Sequence, residues 1–184
     1  MAKKDTLRWI GIDPGKGGAI ACIDVYGVIE ARHTPMITTR IKSPRAKTAA
    51  GNVRVKVTTE YDFFGILDLL EKLTRPCGDT TVVIERQWGR PRDSKGAIFE
   101  VGRGYGIWQM AIAAMGLAAM EVVPQTWRPC YVGVRADKQK SKEVCQILYP
   151  EYSLPLKRDE AKAEAILIAD YGKRLELQFP MFSG

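Results

Sequence analysis

Residues 9–24 read WIGIDPGKGGAIACID. An apolar run leads straight into Asp13, a Pro-Gly pair and two further glycines turn the chain, and a second apolar run, AIACI, ends in Asp24. Strand and turn signals in this order predict two strands, residues 7–13 and 19–24, joined by the turn PGKGG. Asp13 closes a stretch that otherwise reads as core. A buried ionised carboxylate is costly unless something neutralises it, and a metal ion is one such partner. The rest of the chain must then supply further ligands.

Working outward, Tyr26-Gly27 predicts a turn into a third strand over residues 28–33, so the chain opens as a β-meander. Residues 34–60 read as irregular. Between Arg40 and Thr59 the chain carries Arg40, Lys42, Arg45, Lys47, Arg54 and Lys56 and no acid. The segment is expected to form a basic arm or hairpin, with VRVKV as its one strand-like piece. In residues 61–73, Phe63, Phe64, Ile66, Leu67, Leu69, Leu70 and Leu73 recur at helical spacing. TTVVIE, residues 80–85, is the β-branched run of a buried parallel strand. The basic loop RQWGRPRDSKG follows. Residues 97–120 predict a long helix, broken or thinned near Gly102, Gly104 and Gly106, whose small-residue part (106–120) is a candidate subunit interface and reads equally as a helix buried within the domain. A short strand is expected at 121–123 and a turn region at 125–131. An amphipathic helix is expected at 137–148, and a last helix at 159–174. Three meandering strands followed by alternating strands and helices describe an α/β chain with an RNase H-like fold. Its mixed central sheet joins the meander to parallel strands, flanked by helices. The reading is one domain over residues 1–184 with the 34–60 arm inserted.

The 184 residues are 46% apolar, enough for a full core, and 28 Lys plus Arg against 21 Asp plus Glu leave a formal net charge of +7. That excess favours a polyanionic partner, nucleic acid being the usual one. Cys22, Cys77, Cys130 and Cys145 are scattered without a C-x-x-C pair, and His33 is the sole histidine, which argues against a zinc site. The thiols are expected to be reduced core residues. The opening residues MAKKDTLRW lack an apolar signal core, and no stretch is long and apolar enough to span a membrane, so a cytoplasmic location is expected.

The acids form a pattern. Asp13 ends the first strand, Glu85 ends VVIE, and Asp159 and Glu164 begin the last helix. In α/β sheets, sites form beyond strand ends, and a helix start aimed at that edge would bring the second pair of carboxylates to the first. Clustered carboxylates without histidine favour Mg²⁺ or Mn²⁺, and two such ions suit in-line attack of water on a phosphodiester. Each acid also has an ordinary structural reading. Asp24 suits a turn, Asp159 suits an N-cap, and Glu160 suits the positive end of the helix dipole. Glu164, among Ala163, Ala165, Ile166 and Leu167, resists that reading, and so does Glu85 after a β-branched run. Trp88 stands among Arg86, Arg90, Arg92 and Lys95, the pattern of a base-stacking aromatic with phosphate-binding cations. It reads equally as a Trp plugging the edge of the core.

IGIDPG, then VVIE, then a terminal helix with D-x-x-x-x-E-A-x-x-I-A together resemble the RuvC-type Holliday junction resolvases, in particular their phage-like branch. VVPQTWRPCYVGVRADKQKSK, with its P-x-x-W-R, adds to the likeness. The resemblance implies an RNase H-like homodimer that cuts opposed strands of a four-way DNA junction with Mg²⁺ or Mn²⁺, two ions to each site. It implies Asp13, Glu85, Asp159 and Glu164 as catalytic metal ligands, Arg128 and Lys138 as catalytic cations, and Trp88 as a base-stacking residue. Arg86, Arg90, Arg92, Lys95, Arg45 and Lys47 would then bind DNA. The bacterial members carry two aspartates three apart. Here position 161 is Ala; the resemblance to the phage-like branch, whose pattern has its aspartate at Asp159, implies that residue as the fourth ligand, with Glu160 as the alternative. Competing readings are another RNase H-like nuclease acting on branched DNA or RNA–DNA hybrid, and a small-molecule kinase of the actin-like superfold.

Overall fold

A computed structural model describes residues 7–47, 53–75, 79–134 and 139–178. Strands β1 (Arg8–Asp13), β2 (Ala19–Ile23) and β3 (Val28–His33) form an antiparallel meander, with Asp24 accepting the Tyr26 and Gly27 N–H groups in its second turn. β4 (Met36–Lys47) and β5 (Val53–Tyr61) form a separate antiparallel hairpin. Next come α1 (Phe63–Thr74), β6 (Thr80–Glu85), α2 (Lys95–Ala114) and β7 (Ala119–Val122). The short α3 (Pro124–Trp127) runs into a 3₁₀ turn, followed by α4 (Lys140–Leu148) and α5 (Glu160–Gln178). The central sheet has the order β3-β2-β1-β6-β7, with β1–β6 and β6–β7 parallel. This is the mixed sheet of the RNase H-like fold, as the element order implied.

β1 is buried on both sides because its apolar residues serve two layers. Trp9 joins the core under α5 with Val83, Ala165 and Ala169, whereas Ile10 and Ile12 join Ile66, Leu70 and Trp108 under α1 and α2. The α5 layer is unusually close. A Cβ on Gly11 would stand 2.1 Å from the Ala165 carbonyl oxygen and 2.4 Å from the Ala169 nitrogen, so only glycine lets the helix backbone rest on β1. Small residues on both elements thereby set the height of α5 over the sheet. Its middle is held by the buried Asp170, which accepts hydrogen bonds from Tyr131 (2.8 Å) and Tyr149 (2.6 Å), and burial and that carboxylate raise both phenols above their usual pKa.

Several expectations change. α2 is continuous across Gly102, Gly104 and Gly106 and stops at Ala114. Gly104 is a contact residue rather than a break, since a Cβ there would meet the Tyr61 hydroxyl at 2.2 Å and the Pro14 carbonyl at 2.7 Å. The strand expected at 121–123 is β7, two residues earlier, and the supposed turn region contains α3. The last helix begins at Glu160, one residue after Asp159, and runs on to Gln178. The 34–60 segment is a hairpin, but β4 supplies twelve strand residues where only VRVKV was expected. Ile37, Arg40, Ile41, Val55 and Val57 are all exposed, so no buried face imposes the alternation by which a strand is recognised. Cys22 and Cys145 are buried core thiols, Cys130 is exposed, and Cys77 lies outside the described residues. Among the described residues, no helix is long and apolar enough to cross a membrane.

Candidate active site

Parallel pairing of β1 with β6 sets Ile12 opposite Ile84, which puts Asp13 and Glu85 at adjacent strand ends. Immediately beyond Asp13, the glycine-rich turn folds tightly back. Gly18 donates to the Gly15 carbonyl at 2.9 Å, and a Cβ on Gly18 would lie 2.1 Å from the Asp13 carbonyl. Gln87, two residues past Glu85, donates from Nε2 to Asp13 Oδ1 at 2.6 Å and so links the two strand ends. Glu85 is buried, and its Oε2 accepts the Trp127 indole N–H at 2.8 Å.

Glu164 lies in the second turn of α5, flanked by Ala163 and Ala165, where the helix sits low over the sheet. Arg128 Nη2 is 3.2 Å from Glu164 Oε1 and 3.7 Å from Glu85 Oε2. One guanidinium therefore serves a carboxylate from the sheet and another from the helix. Its position follows from the PQTWR segment. α3 buries Trp127, and the following residue is carried to the same strand end.

Asp13, Glu160 and Glu164 line one cleft of about 550 Å³, together with Lys16, His33 and Met36. Glu85 and Arg128 line a second, of about 430 Å³, with Arg86, Gln87, Trp88 and Arg90. Asp159 lines neither. Its Oδ2 accepts the Leu156 backbone N–H at 2.9 Å, while Oδ1 lies 3.1 Å from Lys162 Nζ and 3.6 Å from His33 Nε2. Burial alone would raise its pKa, but the Leu156 N–H, Lys162 and His33 outweigh that and hold it below the usual carboxylate range. Asp159 thereby closes the 3₁₀ turn Lys157–Asp159 that leads into the last helix, its side chain reaching back to the Leu156 N–H.

Trp88 is half exposed, with the Arg86 guanidinium 4.8 Å from its ring centroid, and does not plug the core. Arg92 and Lys95 are exposed outside both clefts, in the loop and at the first turn of α2. Arg45 and Lys47 belong to β4, and Lys138 lies outside the described residues. Among the described residues, no three His, Cys, Asp or Glu side chains stand close enough to form a metal site as they are. The donor chemistry does suit a hard divalent cation. Glu85 and Glu164 are buried carboxylates that already share one cation, Arg128, and Asp13 stands at the adjoining strand end. The sequence reading overlooked Gln87, Lys16 and His33 and gave Trp127 no role. Gln87 had a signal in its spacing, two residues past the strand-end acid, and His33 in being the sole histidine.

No family model and no curated protein matches the sequence. Among solved structures, Thermus thermophilus RuvC in complex with a Holliday junction substrate superposes with a TM-score of 0.53 at 14% identity, covering 96% of this chain and 97% of that one. A second Thermus thermophilus RuvC structure gives 0.51 at 14% identity, covering 92% and 96%. The likeness spans both chains almost end to end, and the fold is that of RuvC.

Proposed function

We propose that this protein is a divalent-metal-dependent endonuclease that resolves four-way DNA junctions. The observation that carries the reading is that Glu85, at a strand end, and Glu164, on the facing helix, share the Arg128 guanidinium while Asp13 stands at the adjoining parallel strand end. The RuvC fold and a formal charge of +7 support it. Asp13, Glu85 and Glu164 would hold Mg²⁺ or Mn²⁺. Glu160 is better placed than Asp159 as a fourth ligand, because it lines the cleft with Asp13 and Glu164 while Asp159 is engaged in closing the preceding 3₁₀ turn. When bound, such ions activate water towards a phosphodiester and stabilise the leaving oxygen.

The chain's own residues would do the remaining work. Gln87 fixes the rotamer of Asp13, and the Trp127 indole fixes Glu85. Arg128 would face the phosphate in the cleft that it lines with Trp88 and Arg90. Trp88 offers a half-exposed ring for an unpaired base near the crossover. Lys138 is proposed as a second catalytic cation, and Arg86, Arg90, Arg92 and Lys95 as phosphate contacts. Symmetric incision needs two sites facing one junction, which a two-fold dimer supplies. The apolar groove of Phe63, Ile66, Leu67, Ile107, Met110 and Ala114 between α1 and α2 suits that contact. A cytoplasmic location fits such a substrate.

The test is incubation of labelled four-way junction, linear duplex and RNA–DNA hybrid side by side, with and without Mg²⁺. Paired nicks confined to the junction and dependent on the metal are expected, lost in Asp13→Asn with binding retained. Preferential cutting of the hybrid would transfer the reading to another RNase H-like nuclease. Wild-type cutting by Asp13→Asn would refute the site.

A further inference from the structure

β4 and β5 pair only with each other, so this ribbon lies outside the central sheet. A lone two-stranded ribbon is marginal in water. Its described side chains are exposed on both faces, with Ile37 at 49%, Ile41 at 52%, Val55 at 50% and Val57 at 58%. The register shows how the composition is divided. Arg40 stands opposite Val57 and Lys42 opposite Val55, which gives one face. Ile41 stands opposite Lys56 and Ser43 opposite Arg54, which gives the other. Each face thus carries one basic row beside one apolar or small row, and no acid occurs between Arg40 and Thr59.

The root of the ribbon is fixed to the candidate active site. Met36, the first residue of β4, lines the cleft with Asp13 and Glu164. Lys16, in the turn after Asp13, reaches the Thr59 carbonyl at 3.2 Å and Glu100 at 2.8 Å, and Arg103 reaches Glu60 at 2.6 Å. Tyr61 is buried against Gly104 of α2. Beyond this clamp, about nine residues of strand at ~3.3 Å each project roughly 30 Å, close to one turn of B-DNA.

We infer that the β4–β5 ribbon enters the major groove of a duplex arm leading into the active-site cleft, with basic residues from both faces on the two phosphate walls. The inference rests on the proposed junction substrate. A flat anionic surface would meet one face and leave the cations of the other unused, and an apolar protein partner would bury a basic row on either side. The major groove is about 12 Å wide and admits a two-stranded ribbon, whereas the minor groove, at about 6 Å, does not. Ile37, Ile41, Val55 and Val57 would then lie against groove floor and sugar edges.

Two variants test this. Arg40→Glu/Lys56→Glu removes one cation from each face. A second variant replaces residues 41–56 by Asn-Gly, a hairpin turn that joins Arg40 to Val57. Circular dichroism and melting temperature check folding. Binding to a four-way junction and to plain duplex is measured in EDTA across a salt series, with methylation interference at guanine N7, in the major groove, and adenine N3, in the minor. For Arg40→Glu/Lys56→Glu, at least tenfold weaker binding is expected, with the salt slope reduced by about two for two lost phosphate contacts. Guanine N7 interference within about one helical turn of the crossover should appear with wild type and vanish with the shortened hairpin. Unchanged affinity and slope in both variants, or interference confined to adenine N3, would overturn the inference while leaving junction cutting intact. Groove interference on plain duplex by a wild type that never cuts junctions would uphold the arm and refute the proposed function instead.

Discussion

Gly11→Ala is a small change with a large expected consequence. The new methyl would lie 2.1 Å from the Ala165 carbonyl oxygen and 2.4 Å from the Ala169 nitrogen, both backbone atoms that cannot rotate away. Relief to an ordinary contact of 3.4 Å requires α5 to lift by about 1.3 Å, the difference between 3.4 and 2.1. Overpacking of this kind costs about 3 kcal/mol or more, which for a chain of this size lowers Tm by about 6–12 °C. The helix that moves carries Glu160 and Glu164. A displacement near 1 Å at a catalytic centre costs on the order of 10²-fold in rate. Calorimetry and junction cleavage, measured below the lowered melting point, read the two effects separately. Gly102→Ala is the control. It lies in α2 with nothing within 4 Å of its added methyl, and should be neutral or stabilise by up to about 1 kcal/mol. An unchanged Tm with full activity in Gly11→Ala would mean that α5 does not rest on β1 as described, and the placement of Glu164 would fall with it.

Four further outcomes follow from individual contacts. Glu160→Gln should lose metal-dependent cutting with little change in Tm, whereas Asp159→Asn should lower Tm and spare more of the activity; the reverse pattern would return Asp159 to the ligand set. Because the folded-state pKa of Asp159 is depressed, its stabilisation is complete above the ordinary carboxylate value of about 3.9 and drains away as pH falls through the lower folded value. The Tm gap between wild type and Asp159→Asn should therefore shrink below about pH 4, and a gap that widened there would refute the assignment. Trp127→Phe removes the indole donor from buried Glu85 and should cost about 1–3 kcal/mol by thermal denaturation; no loss would mean that the bond contributes nothing. EDTA treatment of the protein as purified should leave its melting temperature unchanged, and unfolding on chelation would show that a bound metal, not Arg128, holds the glutamates.

The central sheet was legible because its strands are bounded by chemistry that acts locally. Glycine and proline close β1, Asp24 and Gly27 turn β2 into β3, and TTVVIE has no other economical reading. α2 was misread at Gly104 because glycine in a helical pattern signals a break, and only the tertiary approach of Tyr61 and Pro14 reveals that it makes room. β4 escaped because solvent on both faces removes the pressure for alternation. In the candidate site, the acids could be picked out as carboxylates in apolar company. Their partners could not. Gln87, Trp127 and Arg128 are ordinary polar or aromatic residues until the fold brings them to Asp13, Glu85 and Glu164.

Those partners change how the opening aspartate is to be understood. The sequence suggests that acids converging in a core are tolerable only with a metal between them. The fold supplies protein answers first: an amide for Asp13, an indole for Glu85, and a guanidinium between Glu85 and Glu164. Removing one member of a buried charge pair is far costlier than never having built it, so Arg128 stabilises the sheet-to-helix junction as well as facing a cleft. Glu85 and Glu164 would hold a divalent ion at this point, and Arg128, which also lines the neighbouring cleft, would face the phosphate there. Affinity for the metal and affinity for the DNA strand would then be linked through one side chain, each favouring the other.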